Sequence, residues 1–261
     1  MHYGIPTLME FPDIRKLAQF CSECGFAFLE MNMTFPWFQP GTINAKALHE
    51  LKTEYGIDFT VHLHDQVNPF EFSPEMRKAA LENIAFAMDL AAACELPRIT
   101  MHLQPGTYSS INGQKVYLYE QYKDGYLEHV ADFIGFVNSS LHGNNTVFCI
   151  ENTSGFQSFH RDAIEMMLQS DRFGLTFDIG HNYKAGGNDE SFILEHPDKL
   201  KHFHIHDCSI RSNHLAFGKG GLNIVHYLKM AEKFDCPVVV EVKESKALIR
   251  SKKFIEEHNL W

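Results

Sequence analysis

Asp178 and His181 are the clearest of several carboxylate and imidazole side chains that end short apolar segments of this sequence. Residues 175–181 read Leu-Thr-Phe-Asp-Ile-Gly-His, which predicts a buried strand whose last inward residue is Asp178, with His181 following about one helical turn later. A carboxylate and an imidazole at the end of a strand could bind a metal ion or transfer a proton. Their role depends on whether the other segments that end in histidine or glutamate meet at the same place.

The polar faces of the predicted strands carry most of these titratable residues. Successive side chains on a strand point to opposite faces, so residues of the same parity share a face. In residues 58–64, His62 and His64 share one face and the other face is apolar, and parity does not decide which histidine is the ligand. The titratable residues on these polar faces are Glu30, His62, His64, His102, Glu151, Asp178, His202, His204, His206 and Glu241.

Strand-like segments alternate with longer amphipathic segments along the chain, and we count eight of the former. They cover residues 3–8, 26–31, 58–64, 98–103, 146–151, 174–178, 201–206 and 237–242. Helices are predicted over residues 14–24, 45–55, 74–94, 121–141, 161–169, 224–234 and 245–257, with a weakly marked segment at 191–196 and long loops at 32–44 and 104–120. This alternation predicts a (β/α)8 TIM barrel, an α/β fold, as a single domain over residues 1–261. The polar faces then point inward, and their ends meet at the C-terminal mouth, where active sites of this fold lie.

Composition places the chain among ordinary globular proteins, with 44% hydrophobic and 21% charged residues. The net charge of -10 argues mildly against a broad nucleic-acid surface. Six cysteines and no apolar leader after Met1 predict reduced thiols in a cytoplasmic protein. No segment reaches the roughly 18 apolar residues of a membrane span, so no membrane association is expected.

Each titratable residue at the mouth, taken singly, has an ordinary structural explanation as a hydrogen-bonded histidine or a helix cap. Several carboxylates and imidazoles converging in one barrel mouth, however, would carry a large desolvation and repulsion cost unless a cation or a substrate compensates it. Carboxylates mixed with neutral imidazoles suit Zn²⁺, Mn²⁺ or Fe²⁺. The residue types at the mouth therefore predict a bound divalent metal ion.

Four sequence motifs resemble those of the xylose isomerase-like TIM barrel superfamily. They are Glu-Asn-Thr-Ser-Gly at residues 151–155, Asp-Ile-Gly-His at 178–181 followed by Ala-Gly, His-Ile-His-Asp at 204–207, and the segment from His214 to the glycines at 218–221. The superfamily includes sugar and sugar-phosphate isomerases and epimerases, and the endonuclease IV type of apurinic/apyrimidinic endonuclease. The resemblance covers nearly the whole chain.

The resemblance also implies a set of metal ligands. The family pattern makes Glu151, Asp178, His204 and Glu241 the ligands of the central metal. The endonuclease branch adds His62, His102 and the bridging Glu151 for a second ion, and His181 with an Asp-x-His pair for a third. The histidine of that pair is present as His214, but Ser212 stands where the branch has its aspartate.

Other residues near the mouth could contact a substrate. Lys219, within Gly-Lys-Gly-Gly at residues 218–221, is a candidate phosphate contact, and a plain glycine turn is the alternative. Arg211 could hold a substrate oxygen or be a solvated loop residue. Trp37 with Phe35 and Phe38 could form an apolar lid or simply pack the loop. Glu30 could bind a ligand hydroxyl or orient His62.

Two activities are compatible with these residues. The first is isomerisation or epimerisation of a small-molecule sugar or sugar phosphate through a metal-stabilised enediolate, with Glu151 and Glu241 exchanging the proton and His181 holding the oxygen. The second is metal-dependent hydrolysis of abasic DNA, the one reading with a nucleic-acid partner. The missing aspartate and the sequence Leu-His-Asp after His62 favour the first. A barrel that binds without turnover, and a homo-oligomer, both remain open.

Overall fold

Ten strands and ten helices follow one another along the chain in the computed structural model, which describes Met1–Trp261. The strands are β1 (Tyr3–Pro6), β2 (Phe28–Asn32), β3 (Asp58–His62), β4 (Arg98–His102), β5 (Tyr108–Ile111), β6 (Gln114–Tyr117), β7 (Val147–Glu151), β8 (Phe173–Asp178), β9 (Leu200–Ile205) and β10 (Val238–Val240). The helices are α1 (Ile14–Glu23), α2 (Ala45–Tyr55), α3 (Pro74–Cys94), α4 (Leu118–Gln121), α5 (Lys123–Ser140), α6 (Ser158–Leu168), α7 (Ile179–Lys184), α8 (Asp189–Leu194), α9 (Ile224–Lys233) and α10 (Ser245–Glu257), with a short 3₁₀ helix at Pro36–Phe38.

Eight of the strands close into a parallel barrel in the order β1-β10-β9-β8-β7-β4-β3-β2. Each predicted strand has a counterpart in this barrel, so the predicted (β/α)8 fold is confirmed. Helices connect successive barrel strands and cover the apolar outer face of the sheet, as parallel strands require. None of these helices has the length and apolar character needed to cross a membrane.

Aromatic side chains fix the two strands that carry Glu151 and Asp178. Phe133 of α5 packs between Phe148 of β7 and Phe173 of β8, with ring centroids 5.4 Å and 6.0 Å away. All three rings are at most 1% exposed. Because each buried side chain of this kind contributes about 1.5–3 kcal/mol, this cluster holds β7 and β8 firmly against α5.

The pairing of β8 with β9 changes register between Leu175 and Thr176. Leu175 lies opposite Leu200, but Thr176 lies opposite His202. Lys201 is therefore an extra residue on β9, as in a β-bulge. After this shift, Asp178 lies directly opposite His204, so both enter the mouth at the same level.

The predicted loop at residues 104–120 is wrong in part, because it contains an antiparallel hairpin formed by β5 and β6. Its turn is Asn112-Gly113, with both residues at positive φ. This dipeptide between two short strands is a strong hairpin signal, since Asn and Gly adopt the left-handed conformation at little cost. The signal was present in the sequence, but the segment lacks the apolar alternation used to identify the barrel strands.

Two predicted helices have different bounds in the structure. The helix predicted over residues 121–141 corresponds to α5. It is separated at Tyr122, whose backbone is not helical, from the short helix α4, which lies mostly in the predicted loop at 104–120. The helix predicted at 161–169 begins earlier, at Ser158, where Gln157 and His160 form a reciprocal capping box. The weak segment at 191–196 corresponds to α8, and an additional short helix, α7, starts directly after Asp178.

Candidate metal centre

Four side chains from four neighbouring strands converge at the C-terminal mouth of the barrel. Each of them offers one ligand atom, and these atoms all lie within 4.8 Å of one another. Three of the four are at most 1% exposed, and Glu241 is 9% exposed. The four residues are Glu151, Asp178, His204 and Glu241, which are the predicted ligands of the central metal.

In each of the three carboxylates, one oxygen contacts protein groups and the other oxygen has no protein partner. Glu151 Oε2 lies 3.2 Å from His62 Nε2, and Asp178 Oδ1 accepts the His181 backbone N–H at 2.6 Å because Asp178 caps α7. Glu241 Oε1 accepts Lys243 Nζ at 2.8 Å. The remaining buried atoms have no hydrogen-bond partner: Glu151 Oε1, Asp178 Oδ2, His204 Nδ1 and Glu241 Oε2.

These orphaned atoms are the observation that tests whether a metal fits. Burying three carboxylates without partners is costly, because each loses its hydration and repels the others. Glu151 Oε1 and His204 Nδ1 lie 3.2 Å apart, and His204 Nδ1 and Glu241 Oε2 lie 3.5 Å apart. Three carboxylate oxygens and one imidazole nitrogen suit a divalent ion such as Zn²⁺, Mn²⁺ or Fe²⁺. The residues present therefore fit the predicted metal.

The surrounding charges keep the carboxyl groups ionised. Burial alone raises the pKa of Glu151, but the charges of His204 and His102 outweigh burial and hold this pKa well below its usual range. Burial acts in the same direction on Glu241, where Lys243 and His214 reverse its effect and lower the pKa. Both glutamates are thus charged at neutral pH, as metal ligands and proton acceptors must be.

Two histidines at the mouth, His62 and His181, show the opposite shift. Burial lowers the pKa of His62, but Glu151 outweighs burial and raises it to about 9. Burial likewise lowers the pKa of His181, and Asp178 with Glu151 raises it to about 10. These shifts show an excess of negative charge in the mouth, which a bound cation would compensate.

Glu30 lies below the four converging residues and contacts His204, whereas the sequence predicts that it binds a ligand hydroxyl or orients His62. It is 2% exposed, and its Oε2 lies 2.9 Å from His204 Nε2. Its other oxygen accepts Thr60 Oγ1 at 3.1 Å. Carboxylate contact at the far nitrogen of a ligating histidine fixes the ring and raises its basicity. Parity predicts that Glu30 points inward but not how deep it lies.

Replacing Glu30 by glutamine is expected to weaken zinc binding by about 10–100-fold, as is typical when a carboxylate partner of a ligating histidine is lost. The measurement is a competition titration of metal-free protein with zinc and a chelator of known affinity. Thr60→Val is the matched control, since it removes the contact to the other Glu30 oxygen and leaves the charge beside His204. Equal zinc affinities in wild-type protein and Glu30→Gln would contradict this role.

His62 and His102 form a second group around Glu151. His62 Nε2 lies 3.2 Å from His102 Nε2, and both nitrogens contact Glu151 Oε2. His62 Nδ1 donates to the Leu63 carbonyl at 2.8 Å, so its Nε2 is an acceptor that faces other acceptors. A proton or a cation must therefore lie between them. His64 is elsewhere, and its Nδ1 accepts the Gln66 N–H at 3.1 Å.

His181, His206 and His214 form a third group, in which one ring nitrogen of each lies within 4.8 Å of the others. His181 Nδ1 lies 3.2 Å from the Asn152 carbonyl, and His214 Nδ1 lies 3.0 Å from the Glu241 carbonyl. In both residues Nδ1 donates to these carbonyls, so Nε2 is the ring nitrogen that is left without a backbone partner. Three imidazoles in this arrangement could also hold a cation.

The sequence places His206 on the inward face of its strand but predicts no ligand or substrate role for it. It is fully buried, its Nε2 donates to Asp178 Oδ1 at 3.2 Å, and its Nδ1 accepts the His214 backbone N–H at 3.2 Å. Its ring lies so close to Gly180 that a Cβ there would stand 1.8 Å from His206 Cε1. His206 thus connects β9 with the start of α7 and orients Asp178.

The predicted substrate contacts lie farther out. Lys219 and Arg211 have exposed side chains. The glycine-rich turn around Lys219 is tied to Asp207, whose Oδ2 accepts the Gly220 N–H at 2.7 Å. Trp37 is half-buried in the 3₁₀ helix beside Phe38, which is fully buried. Sequence reasoning missed Lys243. This residue has the same parity as Glu241 but lies just beyond the predicted strand at residues 237–242 and beyond β10.

Comparisons with known proteins agree with this fold. The family described as "Xylose isomerase-like TIM barrel" matches residues 18–259 of the chain. A D-tagatose 3-epimerase-like protein is similar in structure, with a TM-score of 0.79, 21% identity, and coverage of 99% of this chain and 97% of that one. The 3-keto-D-glucoside 4-epimerase YcjR from E. coli has a TM-score of 0.76, 15% identity, and coverage of 98% and 99%. The IOLI protein, whose structure was solved with a bound zinc atom, has a TM-score of 0.74, 14% identity, and coverage of 98% and 97%.

Proposed function

The chain belongs to the xylose isomerase-like TIM barrel family, and from this premise we propose that it is a divalent-metal-dependent isomerase or epimerase of a sugar or sugar phosphate. The observation that carries the proposal is the set of four orphaned ligand atoms with two ionised glutamates among them. Names of similar structures, a D-tagatose 3-epimerase-like protein and a 3-keto-D-glucoside 4-epimerase, support a sugar substrate. A bound divalent ion would polarise a carbonyl group of the sugar and stabilise negative charge on its oxygen.

Glu151 and Glu241 are the proposed acid and base. Glu151 ends β7, and Glu241 follows β10. Because β8 and β9 lie between these two strands in the barrel, the two carboxylates approach a bound sugar from different sides. One removes the proton beside the carbonyl and the other returns it on the opposite face. Lys243 keeps Glu241 charged, and the His62 and His102 nitrogens hold the Glu151 carboxylate in place.

His181 is the proposed contact to a substrate oxygen. Its Nδ1 is fixed by the Asn152 carbonyl, which directs Nε2 away from the backbone. Its side chain is 19% exposed, whereas the Asp178 side chain beside it is fully buried. A protonated imidazole at this position could donate a hydrogen bond to an oxygen on which charge develops. Trp37 and Lys219 remain proposed outer contacts to the sugar ring and to a phosphate.

Hydrolysis of a phosphodiester at abasic DNA sites is the second candidate, and one observation favours it. His62 and His102 add two further imidazole nitrogens at 3.2 Å and 3.4 Å from Glu151 Oε2. A second ion held there by a bridging Glu151 would give a pair of metals, which is an arrangement suited to in-line displacement at phosphorus. A single-metal isomerase does not require His102 as a ligand.

A paired assay separates the two candidates. Metal-loaded protein is offered a panel of ketoses and ketose phosphates and, in parallel, a DNA duplex with one abasic site. We expect conversion of at least one sugar, no nicking of the duplex, and retention of sugar turnover within about tenfold in His102→Ala. His258→Ala is the matched control, because it removes an exposed histidine on the outside of the protein. Nicking that His102→Ala abolishes would reject the isomerase proposal in favour of the hydrolase.

A further inference from the structure

A separate cavity of about 430 Å³ lies at the opposite end of the barrel from the metal centre. Phe28 and Arg98, the first residues of β2 and β4, line it together with Thr60. Its rim includes Glu232, near the end of α9, and Asp235, which lies between α9 and β10. The cavity is therefore built by the N-terminal ends of the strands, and it shares no residue with the mouth.

Arg98 is the unusual residue of this cavity. It has the parity of Thr100 and His102, so its side chain enters the barrel, and its Nε is buried without a hydrogen-bond partner. Asp58, the acidic residue on the adjacent strand, also lines the cavity, but its carboxylate is paired with Lys52. Other arginines do find partners, as Arg161 does by donating to the Asn188 carbonyl at 3.1 Å.

Arg98 is partly exposed, and its Nε is the guanidinium nitrogen that is buried without a hydrogen-bond acceptor. Burial lowers the pKa of Arg98, and Cys149, Glu30 and Asp58 oppose this shift only in part. A buried charge without a counter-charge is unfavourable, whereas a guanidinium that meets two coplanar oxygens gains two parallel hydrogen bonds. The missing partner is therefore an anion with the geometry of a carboxylate.

The rim limits which anions fit. Glu232 and Asp235 are exposed and stand at the entrance, so a multiply charged phosphate or polycarboxylate would meet repulsion there. A singly charged carboxylate would meet less repulsion, and a cationic remainder could face these two acids. The volume leaves room for a small molecule beside Phe28, whose ring could cover an apolar part of it.

We propose that this cavity is a binding site for a small monocarboxylate, held by the Arg98 guanidinium at the end of the barrel opposite the metal centre. The site does not depend on the proposed sugar chemistry.

The first test compares thermal unfolding in sodium acetate with that in sodium chloride of equal ionic strength. Acetate is expected to raise the midpoint of the wild-type protein saturably, by about 2–4 °C near saturation. Arg98→Gln should lose this rise, and Arg161→Gln, which removes an arginine with a protein partner, should keep it. A rise of equal size in Arg98→Gln would show that acetate binds elsewhere, for example at the metal centre, and would overturn the proposal. Absence of any rise in the wild type would also overturn it.

The second test keeps the proposal falsifiable if Arg98→Gln is poorly folded. Arg98→Met retains the length of the side chain and removes its charge. In chloride it is expected to unfold at the same temperature as the wild type or at a higher one, because an unpaired charge has been removed. A midpoint several degrees lower in chloride would show that the guanidinium is satisfied within the protein, and would reject the site.

Discussion

Replacing Glu151 by glutamine is expected to remove most of the bound metal and to lower sugar turnover by about 10²–10⁴-fold. The glutamine has the same size but no charge, and it replaces one of the two acceptor oxygens of the carboxylate by an N–H₂ donor. One oxygen of Glu151 faces His204 Nδ1 at 3.2 Å, and the other faces His62 Nε2 at 3.2 Å. Because this carboxylate contacts groups on both sides, no rotation of an amide can serve both.

Metal content per chain after dialysis, measured by elemental analysis, tests this expectation without an activity assay. Exchange of the sugar proton for solvent deuterium provides the second readout, since it reports proton abstraction itself. Glu165→Gln is the matched control, because Glu165 lies on the outer helix α6 and contacts His196 at 3.1 Å. A Glu151→Gln protein that keeps a full complement of metal would contradict the assignment of the central ligands.

Gly180→Ala is expected to destabilise the protein by about 1–3 kcal/mol or more, although it adds a single methyl group. The new Cβ would stand 1.8 Å from His206 Cε1 and 2.5 Å from both ring nitrogens. The ring cannot move aside freely, because Asp178 Oδ1 and the His214 backbone N–H bind its two nitrogens. Backbone strain is not the cause, since Gly180 does not have a positive φ.

Thermal or urea unfolding measures this loss, and two further variants identify its origin. Gly135→Ala, within α5, places a Cβ where no atom lies within 4 Å, and should raise stability by about 0.5–1 kcal/mol. The double variant Gly180→Ala with His206→Ser should recover part of the stability, because the clashing ring is gone. If Gly180→Ala were as stable as the wild type, the close packing of His206 on α7 would be disproved.

The sequence predicts the barrel and the inward faces because both depend on local periodicity. Strands of period two alternate with helices, and parity alone identifies Glu151 and Asp178 as inward residues. Their ends then meet, because parallel strands of one barrel finish at the same edge. In the structure these two residues and His204 do lie within 4.8 Å of one another.

Depth and partners inside the barrel could not be predicted from periodicity. Glu30 is inward by parity, but its contact with His204 depends on the stagger between strands that are not neighbours in the barrel. His206 likewise contacts Asp178, which lies 28 positions earlier in the chain. Lys243 contacts Glu241, which lies two positions earlier but beyond the end of the strand. Such contacts are set by register and loop path, which a single sequence does not encode in a readable pattern.

The extra residue Lys201 on β9 has a consequence for how distant members of the family are aligned. Asp178 and His204 face each other only because the pairing advances by one residue between Leu175 and Thr176. Against a relative that lacks this extra residue, an ungapped alignment through β9 would displace His204 by one position from the matching ligand. Searches for relatives with the same site should therefore allow a gap beside Lys201 and score the histidines of β9 as a unit.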